Sequence, residues 1–325
     1  MKILLTGGAG FIGHHVTRIL TEQGHDCCVV DSLTDYGFVN SDELRYLVDE
    51  RLKTFTGTLV TYDIRDAGRL DDTFAKFKPN IVIHLASFPR QKVVNVNPAE
   101  ASEVMCTGLI NLLEVSKKYA IQKFIYVSSS MVYGDFVSDV GEDFECRPQG
   151  QYGIMKLMGE RLVQDYTRRR CFDHVIVRPS AVYGELDVED RVISKFMLAA
   201  MRGQVLKVNG AYEKLDFTYV EDAAHGIAAA STNDQARNKI YNITKSNSTT
   251  LLQAAELAVS IAGSGSIEVG NRDLDFPSRG ALNIDAARRD FDFNPQVDVA
   301  EGFRRYHNWF KTSPFWSSRI NDNNI

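Results

Sequence analysis

Tyr152 and Lys156 are the two side chains whose types and spacing most clearly predict chemistry. They lie four positions apart on a predicted helix, 151–169, and therefore share one face. A free tyrosine has a pKa of about 10 and is a poor base at neutral pH, but a neighbouring ammonium group lowers that pKa. A Tyr-x-x-x-Lys pair alone is common on solvated helices. Here it follows, by about twenty residues, a strand predicted to end in Ser128, Ser129 and Ser130, so we expect proton exchange with an alcohol.

The first thirteen residues predict a strand, a glycine turn and the start of a helix, because they read MKILLTGGAGFIG. Gly7, Gly10 and Gly13 would let the backbone approach a pyrophosphate, which the amides at the helix start would hold. A second predicted strand, Cys27 to Val30, ends in Asp31. An acid at this position accepts the hydroxyls of an adenosine ribose and repels a 2′-phosphate, so NAD is predicted rather than NADP.

Strands and helices alternate along the first half of the chain. The alternation predicts an α/β fold, a doubly wound parallel sheet covered by helices on both faces. Further strands are expected at Lys53 to Thr58, although in unclear register, at Ile81 to Leu85, Phe124 to Val127 and Val175 to Val177, and a helix at Ala99 to Tyr119. Ligands bind beyond the carboxyl ends of such strands. One crevice should therefore contain the strand-end residues Gly7, Asp31, His84, Ser128 and Arg178.

The alternation loosens after about Val182, which predicts a second, smaller domain of mixed α/β structure. We expect a cofactor-binding domain over 1–178, with a returning segment near 215–243, and a mainly substrate-binding domain over 179–325. A net charge of −5 without a long basic run argues against nucleic acid as a partner. No apolar stretch is long enough for a membrane span. Five scattered cysteines without a CxxC pair predict neither a metal site nor a disulfide framework, and they fit a reducing cytoplasm.

The chain resembles the extended short-chain dehydrogenases/reductases, in particular the NAD-dependent sugar-nucleotide epimerase/dehydratase family that includes UDP-glucose 4-epimerase-like enzymes. The resemblance covers essentially the whole length, and it implies a Rossmann-type sheet. The motifs that carry it are Thr6-Gly7-Gly8-Ala9-Gly10-Phe11-Ile12-Gly13, Ser128-Ser129-Ser130-Met131-Val132-Tyr133-Gly134, Tyr152 with Lys156, Arg178-Pro179-Ser180-Ala181-Val182-Tyr183-Gly184 and Asp216-Phe217-Thr218-Tyr219-Val220-Glu221-Asp222.

The resemblance implies roles for individual residues. Ser129, Tyr152 and Lys156 would be catalytic, and Lys156 would also hold the nicotinamide ribose. The positions expected to bind NAD are Gly7, Gly10, Phe11, Ile12, Gly13, Asp31, Asp63, Ile64, Leu85, Ala86, Ser87, Tyr152 and Lys156. The positions expected to bind substrate are Ser129, Ser130, Met131, Arg191 and Arg279, with Lys195, Arg90 and Lys92 as further cations that either meet a phosphate or face solvent.

The residues after Ser129 help to choose a reaction. Family 4,6-dehydratases carry an Asp-Glu pair where this chain has Ser130 and Met131, and other relatives place a cysteine at the second position. A thioether transfers no proton, which favours a nucleotide-sugar 4-epimerase acting through a transient 4-ketosugar. Leu215 replaces a frequent arginine, and Ala181 and Met105 replace frequent asparagines, so the base and the sugar stay open.

Two other functions stay open as alternatives. One is an NAD-dependent nucleotide-sugar 4-dehydrogenase or reductase in a deoxysugar or heptose pathway; a 4,6-dehydratase is less expected. The other is a non-catalytic NAD-sensing protein, which the intact Ser129, Tyr152 and Lys156 disfavour. The resemblance also implies a homodimer paired through the helices at 99–119 and 151–169.

Overall fold

The computed structural model describes residues 1–55 and 57–321, in which strands and helices alternate through most of the N-terminal half. The strands are β1 Lys2–Thr6, β2 Asp26–Asp31, β3 Thr58–Thr61, β4 Ile81–His84, β5 Lys123–Val127, β6 Asp173–Pro179, β7 Val182–Tyr183, β8 Val205–Asn209, β9 Lys214–Leu215, β10 Thr218–Tyr219, β11 Lys239–Ile243, β12 Thr249–Thr250 and β13 Ser266–Gly270. The α-helices are α1 Phe11–Glu22, α2 Ser41–Lys53, α3 Ala67–Phe77, α4 Gln91–Val96, α5 Pro98–Ser102, α6 Leu109–Lys118, α7 Gln151–Arg168, α8 Val192–Met201, α9 Val220–Thr232, α10 Leu251–Ala262, α11 Asp285–Phe291, α12 Val299–Thr312 and α13 Pro314–Asn321.

Seven parallel strands form the central sheet, in the order β11-β6-β5-β4-β1-β2-β3. The predicted doubly wound parallel sheet is therefore confirmed. The chain runs outward from β1 to β2 and β3 and then returns to place β4 on the other side of β1. Beyond the carboxyl ends of β1 and β4 this reversal opens a crevice, where sheets of this class bind ligands.

The sheet has a core on each face because its strands are almost continuously apolar. Leu4 and Val82 belong to the core on the face covered by α3, α6 and α7. Ile3 and Leu5 belong to the core on the opposite face, with α1, α9 and α11. A third core lies in the C-terminal half, where α8, α10 and α12 pack together and β8 pairs with β13. In the chain, β11 lies between α9 and α10, and it returns to pair with β6 at the edge of the main sheet.

Two predicted elements differ from the structure. The segment expected to be a strand at 53–58 begins as the last residue of α2, and β3 covers Thr58–Thr61 instead; Thr56 lies outside the described residues. Basic residues in the last turn of α2, Arg51 and Lys53, favour the longer helix. The helix expected at 99–119 is interrupted by a π-helical turn at Glu103–Gly108, which ends at Gly108, where a Cβ would come within 2.7 Å of the Ile64 side chain.

No helix in the described part of the chain has the length and apolar content needed to cross a membrane. Within residues 1–55 and 57–321, no three His, Cys, Asp or Glu side chains gather in a way that would hold a metal ion. All five cysteines are free thiols.

Candidate active site

The β1–α1 unit can be built only with glycine at two positions, one in the turn and one in the first turn of α1. Gly7 has a φ of +73°, and a Cβ on it would lie 2.5 Å from the backbone nitrogen of Ala86. A Cβ on Gly13 would lie 2.2 Å from the carbonyl oxygen of Gly7. Because neither position has room for a side chain, the turn packs tightly against the start of α1 at Phe11, where free helix amides favour an anion. This geometry fits a dinucleotide pyrophosphate.

Asp31 lies at the end of β2, and backbone amides hold both of its carboxylate oxygens. The Ala9 amide donates to Oδ2 at 3.0 Å and the Leu33 amide donates to Oδ1 at 3.0 Å. Burial raises the pKa of Asp31, and these hydrogen bonds partly offset the increase. The carboxylate is therefore fixed in orientation beside the glycine turn, which is the position that an adenosine ribose requires.

A cavity of about 260 Å³ extends from this turn along the edge of the sheet. Its wall contains most of the residues predicted to bind the cofactor, namely Gly7, Gly10, Phe11, Asp31, Asp63, Ile64, Leu85, Ala86 and Ser87. Ile12, Gly13, Tyr152 and Lys156 do not line it. Other residues on this wall were not predicted from the sequence, among them Tyr36, Arg51 and Asp187. Leu44, Val48 and Arg51 are spaced so that they share one face of α2, and this spacing could have indicated that Arg51 lies on the wall of the cavity.

The first turns of α7 bring Tyr152 and Lys156 close to the end of β5. The Nζ atom of Lys156 donates to the carbonyl oxygen of Val127 at 2.9 Å and lies 5.8 Å from the centre of the Tyr152 ring. Ser129 follows β5, and its hydroxyl accepts a hydrogen bond from the Met131 amide at 3.2 Å. The predicted catalytic set is thus assembled from one strand end and one helix start.

Close packing fixes the position of α7 against this strand end. A Cβ on Gly153 would lie 2.7 Å from the carbonyl oxygen of Met131, so the helix contacts the 3₁₀ turn at Ser130–Val132 directly. The amide of Tyr152 donates to the side chain of Gln91 at 3.3 Å. Gln91 belongs to α4, which therefore holds the helix start from the other side.

The expected lowering of the Tyr152 pKa by Lys156 is wrong for the chain alone. Burial raises the pKa of Tyr152, while the charge of Arg191 and hydrogen bonding by Ser129 oppose the increase. Burial also lowers the pKa of Lys156 to about 7, with Glu160 opposing that decrease. Burial thus weakens the ammonium form of Lys156, which is held by a backbone carbonyl. The charge that opposes the increase in the Tyr152 pKa is that of Arg191.

Three of the five strand-end residues expected in the crevice are buried beneath it. Arg178 forms a two-point ion pair with Glu160, with Nη2 to Oε2 at 2.7 Å and Nε to Oε1 at 2.9 Å. Ser128 donates to the same carboxylate. His84 shares a hydrogen bond with Thr6 at 2.7 Å, and burial lowers its pKa to about 3. The prediction that all five residues share one crevice is therefore wrong for His84, Ser128 and Arg178, because these side chains point into the protein interior.

The predicted substrate residues lie in different surroundings. Ser130 is buried and its hydroxyl donates to the Ser180 hydroxyl at 3.1 Å, and Met131 is buried beside it. Arg191 lines the cofactor cavity, and its Nε is buried without a hydrogen-bond partner, 3.7 Å from an Asp187 oxygen. The Nε of Arg279 is also buried and unpaired among the described residues.

The remaining candidate cations have acidic partners within the chain. Arg90 and Lys195 both form ion pairs with Asp190. Lys92 lies 3.7 Å from an Asp273 oxygen. Arg191 also has an acidic neighbour in Asp187, but its Nε, like that of Arg279, is buried without a hydrogen bond among the described residues, so these two arginines are the better candidates for an anionic substrate group.

A doubly wound sheet, a glycine turn facing an acid at the end of β2, and a Ser-Tyr-Lys set beside the same crevice define a dinucleotide-dependent enzyme of the short-chain dehydrogenase/reductase class. Residues 3–244 match the model of the NAD dependent epimerase/dehydratase family. The chain belongs to this family and is an enzyme with NAD as its cofactor.

Known proteins similar to this chain include enzymes of more than one reaction type. A putative UDP-glucose 4-epimerase of Methanocaldococcus jannaschii is 30% identical, over 96% of this chain and 99% of that protein. A dTDP-glucose 4,6-dehydratase of Shigella flexneri is 28% identical, over 98% and 95%. The crystal structure of a Bacillus cereus UDP-glucuronic acid 4-epimerase, in complex with UDP-glucuronic acid and NAD, superposes with a TM-score of 0.86 at 24% identity, over 95% and 98%.

Proposed function

We propose that the protein is a nucleotide-sugar 4-epimerase that works through a transient 4-ketosugar. The observation that carries the proposal is the assembly of Ser129, Tyr152 and Lys156 at the end of β5, next to the cofactor cavity. NAD, when bound, supplies reversible hydride transfer. The chain supplies the base, the orientation of the sugar hydroxyl and the cations for the diphosphate.

Tyr152 would take the proton from the 4-hydroxyl and return it after the ketosugar has turned over in the site. Burial keeps its phenol protonated in the chain alone, so ionisation relies on nearby positive charge and on hydrogen bonding. Arg191 supplies charge, and Ser129 supplies a hydrogen bond that would join the phenol to the sugar hydroxyl. Lys156, fixed by the Val127 carbonyl, would hold the nicotinamide ribose.

The residues beside Ser129 favour epimerisation over dehydration. Removing water across carbons 5 and 6 needs an acid and a base in addition to the tyrosine. The two positions where the resemblance puts them hold Ser130, already bonded to Ser180, and Met131, which has no proton to transfer. We therefore propose that chemistry stops at carbon 4.

Arg279 and Arg191 are proposed as the partners of the substrate diphosphate. Each has a buried Nε without a hydrogen-bond partner in the described chain, and guanidinium groups bind phosphates well because two N–H groups fit two oxygens. On this basis we assign cofactor binding to 1–178, with the return at 215–243, and substrate binding mainly to 179–325. Similarity to UDP-sugar enzymes supports UDP as the nucleotide.

Product analysis tests the proposed reaction. The protein would be incubated with NAD and, in turn, UDP-glucose, UDP-glucuronate, UDP-N-acetylglucosamine and dTDP-glucose, each deuterated at carbon 4. An epimerase gives a product of unchanged mass that retains the deuterium and differs only at carbon 4 by NMR. Loss of one water would establish a dehydratase, and accumulation of NADH in proportion to product a dehydrogenase. Turnover of none of the four would contradict the proposal, and Tyr152→Phe serves as the inactive control.

We also propose that the protein is a homodimer in the cytoplasm. Ile110 in α6 and Ile154 in α7 are large apolar side chains that are about half exposed, at 43% and 53%. Pairing of these two helices across a dimer would cover them. Light scattering at micromolar concentration should give twice the chain mass, and Ile154→Asp should reduce it. A monomeric mass for the unmodified protein would refute the dimer.

A further inference from the structure

Arg51 is a buried arginine on the wall of the cofactor cavity. It lies in the last turn of α2, and its exposed fraction is only 5%. Val48 and Leu44, one and two turns earlier, line the same cavity. The face of α2 that closes the cavity is therefore apolar except for this guanidinium.

The guanidinium of Arg51 has no ion-pair partner in the described part of the chain. Its Nε and Nη2 donate to the carbonyl oxygen of Leu186, at 3.3 and 2.6 Å. Among residues 1–55 and 57–321, no carboxylate oxygen lies within 4.0 Å of it. Asp187, Asp31 and Glu43 act on it only from a greater distance. A buried cation without a close anion is costly, so the structure has a place for an anion that the chain does not fill.

The position of Arg51 indicates which anion would fill that place. Gly10 and Phe11, at the start of α1, line the same cavity, and a helix start favours a phosphate. The charge of Arg51 also reaches His14, in the first turn of α1. A 2′-phosphate is disfavoured because it would meet the carboxylate of Asp31, whose oxygens are held in place by amides.

We propose that Arg51 binds the pyrophosphate of NAD from the side of the cavity opposite the amides of α1. The Leu186 carbonyl holds Nε and Nη2 and thereby orients the guanidinium, which leaves Nη1 without a partner among the described residues. A planar guanidinium suits this role because it can bond to the carbonyl and to a phosphate at once, which an ammonium on a flexible stem does less well.

Binding of cofactor fragments tests the proposal without any sugar nucleotide, so its result is independent of the reaction proposed above. Dissociation constants of ADP-ribose, adenosine and 2′,5′-ADP would be measured by calorimetry on the full chain and on Arg51→Gln, Arg51→Lys and Arg45→Gln. Arg45 is the matched control, because it lies on the same helix with an exposed side chain paired to Asp42.

Arg51→Gln should weaken ADP-ribose by about tenfold or more and leave adenosine within about twofold, since only the former carries the pyrophosphate. Arg51→Lys should lie between, and Arg45→Gln should change nothing. An equal loss for adenosine and ADP-ribose would show that Arg51 only maintains the fold. A loss confined to 2′,5′-ADP would assign the cation to a 2′-phosphate. Either result would overturn the proposal, and Arg51→Lys gives the same comparison if Arg51→Gln does not fold.

Discussion

The two sides of the cofactor cavity differ in how far the chain completes its own polar contacts. On the β1–α1 side, backbone amides already hold both oxygens of Asp31. On the opposite side, Arg51 has no ion pair within the described residues, and Arg191 has a buried Nε without a hydrogen-bond partner. An unpaired buried donor costs about 1–3 kcal/mol. The hydrogen bonds of the β1–α1 side are therefore formed before any ligand binds. On the opposite side, the guanidinium groups are left to bond to the oxygens of a ligand.

Tyr152→Phe removes the proposed base, and we expect it to have the largest effect on turnover. Only a hydroxyl is lost, so the fold and the dissociation constant of NAD should stay the same. Turnover should fall by about 10²–10⁴-fold, the usual contribution of a positioned acid/base. The measurement is kcat for the correct sugar nucleotide, with NAD affinity by calorimetry on the same samples.

Two further variants and a control separate the roles around Tyr152. Ser129→Ala should lose less activity, because it removes one hydrogen bond and leaves the base. Lys156→Met should lose activity and also weaken NAD binding. Tyr212→Phe is the control, since Tyr212 is 84% exposed. Near-normal kcat for Tyr152→Phe would move the base to another residue.

Arg279→Gln tests another arginine whose buried Nε has no hydrogen-bond partner among the described residues, although it does not line the cofactor cavity. If the Nε of Arg279 is completed by the substrate diphosphate, KM should rise by about 10–100-fold, because a hydrogen bond to a charged group contributes about 1.5–3 kcal/mol. The affinity for NAD should stay the same. Arg272→Gln is the control, because Arg272 is a nearby, partly exposed arginine paired with Glu213. An unchanged KM would remove Arg279 from the substrate site.

The sequence was sufficient to predict the β1–α1 side because that side is local in the chain. Gly7, Gly13 and Asp31 lie within one strand-turn-helix-strand unit, and their spacing is visible in the sequence. The sheet was predictable for the same reason, since its strands are buried on both faces and almost wholly apolar.

The arginine side could not be predicted in the same way because it is assembled from distant segments. Arg51 meets Leu186, which is 135 positions away, and no local pattern indicates such a contact. The pKa of Tyr152 was mispredicted for a related reason: the Tyr-x-x-x-Lys spacing shows that Lys156 is near but does not show that burial lowers its own pKa to about 7. Burial of Ser128 and Arg178 around Glu160 was also invisible, because it depends on how α7 packs on β5 and β6.

Asp31→Ala should sharpen the assignment of the β1–α1 side to NAD. The unmodified protein should bind NAD at least about tenfold more tightly than NADP, which corresponds to about 1.4 kcal/mol. The variant should narrow that ratio, because the carboxylate no longer repels the 2′-phosphate. Asp26→Ala, at the exposed start of the same strand, should leave the ratio unchanged. Equal dissociation constants for the two cofactors in the unmodified protein would refute this assignment.

A substitution of Glu43 should have the smallest effect, a change in stability. Glu43 lies where α2 packs against the segment that carries Asp187 and Arg191. Its Oε1 accepts a hydrogen bond from the Glu189 amide at 2.7 Å, and its Oε2 is buried without a partner in the described chain. Burial raises the pKa of Glu43 from 4.5 to about 7. Because the folded state binds this proton more tightly than the unfolded state, the stabilisation is fully present below pH 4.5 and is lost as the pH rises through 7.

In the ligand-free protein, Glu43→Gln keeps the amide contact without the charge and should raise the free energy of unfolding at about pH 8 by about 1 kcal/mol, with no gain at about pH 5. Urea unfolding at both pH values measures this, and Glu50→Gln, which removes the acidic partner of Lys53 near the end of the same helix, should not show the pH-dependent gain. A gain of the same size at both pH values would mean that Glu43 is destabilising for a reason other than its charge. The buried carboxylate of Glu43 would then not be an uncompensated charge on the α2 side of the cavity.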